Sequence, residues 1–166
     1  FYSKLMEMEM GIDVIIPENK WGYSLAERPK DYKYPVLWLL CGGGFDYTDW
    51  QRYTAIELYA AQAGIAVVMP SAYYSGYMDT IHGDYKYFSV ITDEIAKLAV
   101  KLFPLSEKRE DNFVAGIAMG GNGSLALGLK RPDLYAACVD LSGGIGCSVD
   151  TDAFIDEVRT LKMERL

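Results

Sequence analysis

Four short apolar runs, alternating with amphipathic stretches, constrain the fold of this 166-residue chain more than any other feature. Their lengths suit strands that are buried on both faces of a sheet. The runs are 34–40, 65–69, 113–117 and 136–141. The intervening segments predict helices at about 50–63, 88–102 and 121–130. Strands that alternate with helices in this way predict an α/β fold, with a mostly parallel sheet and helices on both faces.

Local signals add detail at the ends of these elements. Residues 10–16 alternate in hydropathy and precede a proline, which predicts one more strand. Asp49 is placed to cap the helix at 50–63, and Gly64 is placed to end it. No repeat, low-complexity tract or linker interrupts the chain. We therefore expect one domain over residues 1–166.

Apolar stripes predict which faces of two helices are buried. The stripe of the helix at 88–102 consists of Ile91, Ile95, Leu98 and Leu102. A last helix at about 151–165 carries a stripe of Phe154, Ile155, Val158 and Leu161. Each stripe is expected to face the core.

The charge and the cysteines limit the class of protein. A net charge of −7 disfavours nucleic acid and anionic membranes as partners, and no apolar run is long enough to span a bilayer. Cys41, Cys138 and Cys147 form no Cys-x-x-Cys pair, which is typical of reduced thiols in a cytoplasmic protein. Asp46 and Asp49 fit helix capping better than metal binding. We therefore predict no metal and no cofactor.

The stretch 116–124, GIAMGGNGS, has the spacing of a strand-to-helix elbow. Such a turn needs glycines because its tip has a strained backbone and because strand and helix approach closely. It lifts one side chain above the sheet edge, next to the N–H groups of a helix start, which suits a nucleophile beside an oxyanion site. The tip is Ala118, however, and alanine has no functional group.

Two other glycine motifs have spacings similar to that of this stretch. A phosphate-binding P-loop requires Lys and then Ser or Thr after its second glycine, and Asn122 and Gly123 stand there instead. A dinucleotide fingerprint fits the spacing Gly121-x-Gly123-x-x-Ala126, with Asp140 about 20 residues further on. The dinucleotide interpretation therefore stays open.

The chain resembles the esterase D and tributyrin-esterase branch of the α/β-hydrolases, which includes acetyl esterases, feruloyl esterases and S-formylglutathione hydrolases. The resemblance covers nearly all of residues 10–146. Its motifs are YPVLWLLCGGGFDYTDWQRYT (34–54), AVVMPSAYYSGY (66–77) and KLFPLSEKREDNFVAGIAMGGNGSLALGLKRPDLYAACVDLSGG (101–144).

This resemblance implies hydrolysis of carboxylic esters or thioesters through an acyl-enzyme formed by a Ser-His-Asp triad. The nucleophilic serine would stand at Ala118, and the backbone N–H groups of Met119 and Gly43 would form the oxyanion hole. A histidine is common in this family where Cys41 stands. No histidine follows position 118 in the sequence, so the triad Asp and His are expected beyond Leu166.

The resemblance also implies a substrate cleft for a small-molecule ester. The expected cleft residues are Cys41, Gly42, Gly44, Trp50, Tyr73, Tyr77 and His82. Cys41 is a poor substitute nucleophile, because no histidine adjoins it in the sequence to lower its pKa. A non-catalytic relative that binds acyl or carbohydrate ligands is the main alternative. Whether Ala118 is natural or engineered, and whether the protein is a homo-oligomer, stay open.

Overall fold

The computed structural model describes residues 1–17, 29–81 and 84–144. The strands are β1 (Tyr2–Ser3), β2 (Met8–Glu9), β3 (Ile12–Ile15), β4 (Val36–Leu40), β5 (Ala66–Pro70), β6 (Asn112–Ile117) and β7 (Ala137–Leu141). The central sheet has the order β3-β5-β4-β6-β7, and a separate hairpin pairs β1 with β2. The pairs β5–β4, β4–β6 and β6–β7 are parallel, whereas β3 runs antiparallel to β5. The predicted mostly parallel α/β sheet is confirmed.

Helices cover both faces of this sheet. They are α1 (Asp49–Tyr53), α2 (Ile56–Ala63), α3 (Tyr87–Ser89), a π-helical segment (Val90–Ile95), α4 (Ala96–Leu102), a 3-10 turn (Arg109–Asp111) and α5 (Met119–Lys130). Successive side chains of β4 point to opposite faces of the sheet, so the core has two clusters. Trp38 packs in one cluster with residues of the π segment and α5, and Leu39 packs in the other with residues of α2.

The helix predicted at 50–63 is two helices, and its predicted cap is wrong. Thr48 holds the N-cap position, and Asp49 is the first helical residue, where its carboxylate accepts the N–H of Asp46 at 2.5 Å. Thr54 ends α1, because its backbone is extended and both its N–H and its hydroxyl donate to the carbonyl of Trp50. Gly64 ends α2 with φ 68°, as predicted.

The apolar stripe predicted for the helix at 88–102 is shifted along its second half. The N–H of Ala96 donates to the carbonyl of Ile91, five residues back, so one turn is wider than an α-helical turn. The wider turn shifts the buried face of the helix by one residue, so Ala99 lies in the core and is fully buried. Leu98 is half-buried and Leu102 is 61% exposed.

No pattern in the sequence predicts the hairpin of β1 and β2. It is fastened to the π segment, because the Ser3 hydroxyl donates to the Glu94 carboxylate at 2.5 Å and the Lys4 N–H donates to the same group at 2.7 Å. The terminal ammonium of Phe1 donates to the carbonyl of Met10 at 2.9 Å.

Two predictions lie outside the described residues, namely the helix at about 151–165 and the cleft residue His82. In the ranges that are described, no helix has the length and apolarity needed to cross a bilayer.

Candidate active site

Ala118 forms the tip of the turn between β6 and α5. Its backbone has φ 52° and ψ −117°, a conformation that L-residues rarely adopt and that is typical of a strained strand-to-helix elbow. Two backbone hydrogen bonds hold it: the Ala118 N–H donates to Leu141 at 2.9 Å, and the Ala118 carbonyl accepts from Asn122 at 3.2 Å. The methyl group is exposed at the end of the sheet.

The glycines around the tip are required by close backbone contacts. A Cβ on Gly116 would lie 2.2 Å from the Gly120 carbonyl oxygen, and a Cβ on Gly120 would lie 2.5 Å from the carbonyl oxygens of Leu40 and Cys41. Any larger residue at either position would force the strand and the helix apart. These contacts give the predicted Gly-x-x-x-Gly spacing its physical basis.

The loop 41–44, which we call the oxyanion loop, lies beside this elbow. The register of β4 and β6 pairs Leu40 with Gly116, so both chains leave the sheet side by side. A Cβ on Gly42 would lie 3.9 Å from the Ala118 Cβ, and one on Gly43 would lie 3.6 Å from the Met119 sulfur. Since the first N–H groups of a helix have no acceptor within it, the start of α5 offers donors at this point. The structure therefore brings Gly43, Ala118 and Met119 together.

Cys41 is the first residue of the oxyanion loop, and the Tyr77 side chain packs behind it. Both side chains are buried, and their Sγ and Oη atoms are 3.4 Å apart. The Tyr77 hydroxyl donates to the Cys41 carbonyl at 3.0 Å, and Tyr77 has φ 60°. Burial raises the pKa of the Cys41 thiol, so it stays protonated near neutral pH. Tyr77, expected in the cleft wall, instead supports the loop from inside.

Aromatic residues line the open sides of the site. Phe45 is half-exposed, and its ring lies 3.1 Å from the position of a Cβ on Gly42. Tyr73 and Tyr74 are exposed, and the Tyr74 hydroxyl lies 2.5 Å from the position of a Cβ on Gly44, whose φ is 80°. In the sequence, Phe45 belongs to the stretch 41–50 that follows β4, and Tyr74 lies next to Tyr73.

Two cavities adjoin this region. One of about 170 Å3 includes Cys41, Gly42 and Trp50 in its walls, and another of about 290 Å3 runs along Tyr74. The Trp50 indole N–H donates to the Leu40 carbonyl at 3.2 Å, which fixes its ring against the sheet. The expected cleft residues Cys41, Gly42 and Trp50 are therefore adjacent.

The glycines at the start of α5 face other residues of the protein at close range. A Cβ on Gly121 would lie 2.0 Å from the Asp140 carboxylate, and a Cβ on Gly123 would lie 2.5 Å from the Tyr77 ring. Asp140 accepts the N–H of Gly143 at 2.6 Å, so its carboxylate is engaged within its own chain. These glycines accommodate the protein's own residues, which disfavours the Gly121-x-Gly123-x-x-Ala126 fingerprint.

A larger cavity of about 430 Å3 lies at the opposite end of the sheet. Asn112, the first residue of β6, lines it, whereas Ala118 follows the last residue of that strand. Its Arg131 is paired with Asp93 and Asp133. Among the residues that the structure describes, no cluster of His, Cys, Asp and Glu has the arrangement of a metal site.

Comparison with known proteins gives consistent results. Residues 3–162 match a family model described as putative esterase. The chain is similar to an acetyl esterase of Caldicellulosiruptor saccharolyticus, with 29% identity over 145 residues that make up 87% of this chain and 54% of that protein. It therefore spans about half the length of this relative.

Solved structures show the same likeness. The fluorophosphonate-binding serine hydrolase F of Staphylococcus aureus is 34% identical, with a TM-score of 0.76 over 87% of this chain and 55% of that one. The S-formylglutathione hydrolase of the same organism is 30% identical, with a TM-score of 0.74 over 98% of this chain and 65% of that one. A ferulic acid esterase at 20% identity and a TM-score of 0.73 shares the fold.

Proposed function

Because this chain belongs to the esterase family of α/β-hydrolases, in the esterase D and feruloyl-esterase branch, we propose that it binds small-molecule carboxylic esters at Ala118 without turning them over. The observation that carries this proposal is the elbow itself. The strained backbone, the close glycine contacts and the adjoining oxyanion loop are all present around a methyl group.

The missing step is the formation of an acyl-enzyme. In that step a serine oxygen attacks the ester carbonyl carbon, its proton passes to a base, and the alkoxide leaves as the alcohol. The Ala118 methyl has no lone pair for this attack, and the buried Cys41 thiol faces Tyr77. In a serine hydrolase, loss of the nucleophile alone lowers kcat by about a millionfold. Backbone donors at Gly43 and Met119 would still bind the carbonyl oxygen.

The test uses the full-length protein with p-nitrophenyl acetate and butyrate. We expect no hydrolysis above the buffer rate, no labelling by a fluorophosphonate probe, and shifts of the Gly43 and Met119 amide resonances when ethyl butyrate is added. Turnover by the unaltered protein, or unshifted amides at saturating ester, would refute the proposal.

A second candidate is an esterase that lacks only its nucleophile, which the retained φ of 52° at Ala118 favours. Here Ala118→Ser would gain both ester hydrolysis and fluorophosphonate labelling. Ala63→Ser, on the exposed end of α2, is the matched control and should gain neither.

We further propose a single α/β-hydrolase domain in a cytoplasmic protein that binds no nucleic acid. The net charge of −7 supports the last point. Cell fractionation, sedimentation for a homo-oligomer, and a gel-shift assay at low salt test these statements.

A further inference from the structure

The cavity of about 430 Å3 at the far end of the sheet has the size of a small-molecule site and is separate from the elbow. Asn112, in its wall, is the first residue of β6, and Ala118 follows the last residue of that strand. Because β6 has six residues, its two ends are about 20 Å apart. A small ligand in this cavity would therefore not reach the oxyanion loop.

The Tyr135 hydroxyl is a polar group that the fold leaves available in this cavity. Tyr135 lines the cavity and is only 4% exposed, and in the described part of the chain nothing donates to its hydroxyl or accepts from it. The same part of the chain has no fully enclosed side-chain oxygen or nitrogen without a partner, so this hydroxyl opens onto the cavity. Burial raises its pKa above the ordinary value of 10.0, so it is a hydrogen-bond donor at neutral pH. Buried tyrosine hydroxyls usually have a partner, and a ligand can supply one here.

The other buried polar groups in the wall are already engaged. The Trp38 indole N–H donates to the Asn112 side-chain oxygen at 3.0 Å, and the Asn112 amide donates to the Ser106 carbonyl at 2.9 Å. The Ser106 hydroxyl donates to the Asp111 carboxylate at 2.6 Å. A ligand would meet these groups as a preformed surface, which makes Tyr135 different from them.

Charged side chains form the exposed part of the wall. Lys97 and Lys101 lie one turn apart on α4, and neither forms an ion pair within the described ranges of the chain. Arg131 is paired with Asp93 at 3.5 Å, and Glu107 is an exposed carboxylate. The wall thus has three cations and two carboxylates, although the chain as a whole carries a net charge of −7. This balance favours an anion.

Apolar surface makes up the remaining wall. It comes from Ala96, Val100 and Leu134 and from the rings of Trp38 and Tyr135. A small hydrated anion would leave this surface in contact with water, whereas a ring system would cover it. The cavity therefore suits a molecule that combines an apolar body with a single negative charge.

We propose that this cavity binds a small aromatic carboxylate, with its ring against the apolar wall and its carboxylate near Lys97 and Lys101. A hydroxyl group on the ring gains a hydrogen bond from Tyr135. The inference does not depend on ester binding at Ala118, because the two sites lie at opposite ends of β6.

The experiment titrates the full-length protein with 2-naphthoate and with its uncharged counterpart 2-naphthalenemethanol, followed by ligand fluorescence and by amide resonances. We expect 2-naphthoate to bind at least about fivefold more tightly at low salt and to lose this advantage as salt is added. The Leu134 and Tyr135 amides should shift, those of Gly43 and Met119 should not, and ethyl butyrate should not displace the acid. Equal affinity for the acid and the alcohol, or shifts at Gly43 and Met119 instead, overturns the proposal.

Charge variants test the anion site with opposite signs. Lys97→Gln and Lys101→Gln should each weaken 2-naphthoate about two- to fivefold, and Glu107→Gln should strengthen it about twofold. Lys30→Gln is the matched control, since Lys30 is an exposed lysine outside the cavity. If Lys30→Gln weakens binding as much as the two α4 variants do, only the net charge of the protein matters and the site is refuted.

Tyr135→Phe separates ligand binding from a structural role. It should weaken 6-hydroxy-2-naphthoate about fivefold and leave 2-naphthoate unchanged, because only the first gains a hydrogen bond from the hydroxyl. It should not lower the free energy of unfolding in urea, since the hydroxyl has no partner to lose in the described part of the chain. Loss of stability together with equal weakening of both acids would show that the hydroxyl is structural and would overturn its assignment to the ligand.

Discussion

The elbow and the oxyanion loop are both glycine-rich, but their glycines face different neighbours. In the elbow, Gly116 and Gly120 abut backbone carbonyls of the sheet and helix at 2.2 to 2.5 Å from an added Cβ. In the loop, Gly42 and Gly44 abut the rings of Phe45 and Tyr74, which are exposed and can rotate. The position of the tip is thus fixed by backbone, whereas the walls that meet a ligand are adjustable.

The largest expected effect tests the fixed half of this comparison. Gly120→Ala places a Cβ 2.5 Å from two strand-end carbonyl oxygens, which cannot move without disturbing β4. We expect a loss of at least about 3 kcal/mol in the free energy of unfolding, despite the better helix propensity of alanine. Urea unfolding followed by circular dichroism measures it. A loss of stability under about 1 kcal/mol would mean that the backbone of the elbow can shift as easily as the side chains around the loop.

Gly44→Ala tests the adjustable half. We expect a loss of about 1 to 2 kcal/mol, from the positive φ and from contact with the Tyr74 hydroxyl. Gly64→Ala is the matched control, because Gly64 has φ 68° and nothing within 4 Å of the added Cβ. In a Tyr74→Ala background, Gly44→Ala should cost no more than Gly64→Ala. If the double-mutant cycle shows no coupling between positions 44 and 74, contact with the Tyr74 side chain is not what destabilises Gly44→Ala.

Tyr77→Phe removes the side-chain tether of the loop while keeping the ring that packs against Gly123. The Cys41 carbonyl then loses a buried donor, so unfolding should become easier by about 1 kcal/mol. The Gly42 and Gly43 amides should also exchange faster with deuterium than they do in the unaltered protein. Unchanged exchange at both amides would show that the Tyr77 hydroxyl does not hold the loop in place.

The smallest effect is a dependence on alkaline pH. Burial raises the pKa of the Cys41 thiol above its ordinary value of 9.0, so the unfolded chain ionises first. Stability is therefore complete below that pH and is lost as the pH rises through and above it. Cys41→Ala should reduce the loss by less than about 1 kcal/mol at pH 9.5. The pKa of the half-buried Cys138 thiol is also raised by burial, so Cys138→Ala is measured beside it. If the free energy of unfolding falls equally steeply with pH in Cys41→Ala and in the unaltered protein, the Cys41 thiol is not the cause of the loss.

The strands and the elbow could be predicted because each depends on a strong local requirement. Burial on both faces gives the run at 36–40 its unbroken apolarity, and a close backbone approach permits only glycine at 116 and 120. The break at Thr54 and the wide π turn could not be predicted, since both depend on alternative hydrogen bonds that leave composition unchanged. The two-residue strands of the N-terminal hairpin are too short to show a period.

Prediction of the candidate site was similarly uneven. The glycine spacing points to Ala118, and the family resemblance adds Met119 and Gly43. These three residues lie beside one another because the register of β4 and β6 and the glycine contacts fix the backbone there. Tyr77 was expected in the cleft, but a hydrogen bond to Cys41 and a positive φ turn it inward. Neither property leaves a trace in the spacing of residues.

The hairpin of β1 and β2 has a consequence for the order in which the chain folds. Ser3 and Lys4 reach Glu94 across 91 and 90 residues of sequence, a span that contains β3, β4 and β5. Closing a loop of that length is entropically costly until the intervening sheet has already shortened it. The hairpin should therefore dock last during refolding and detach first during local opening. A protease that cuts only flexible chain would then reach residues 1–9 before any strand of the central sheet.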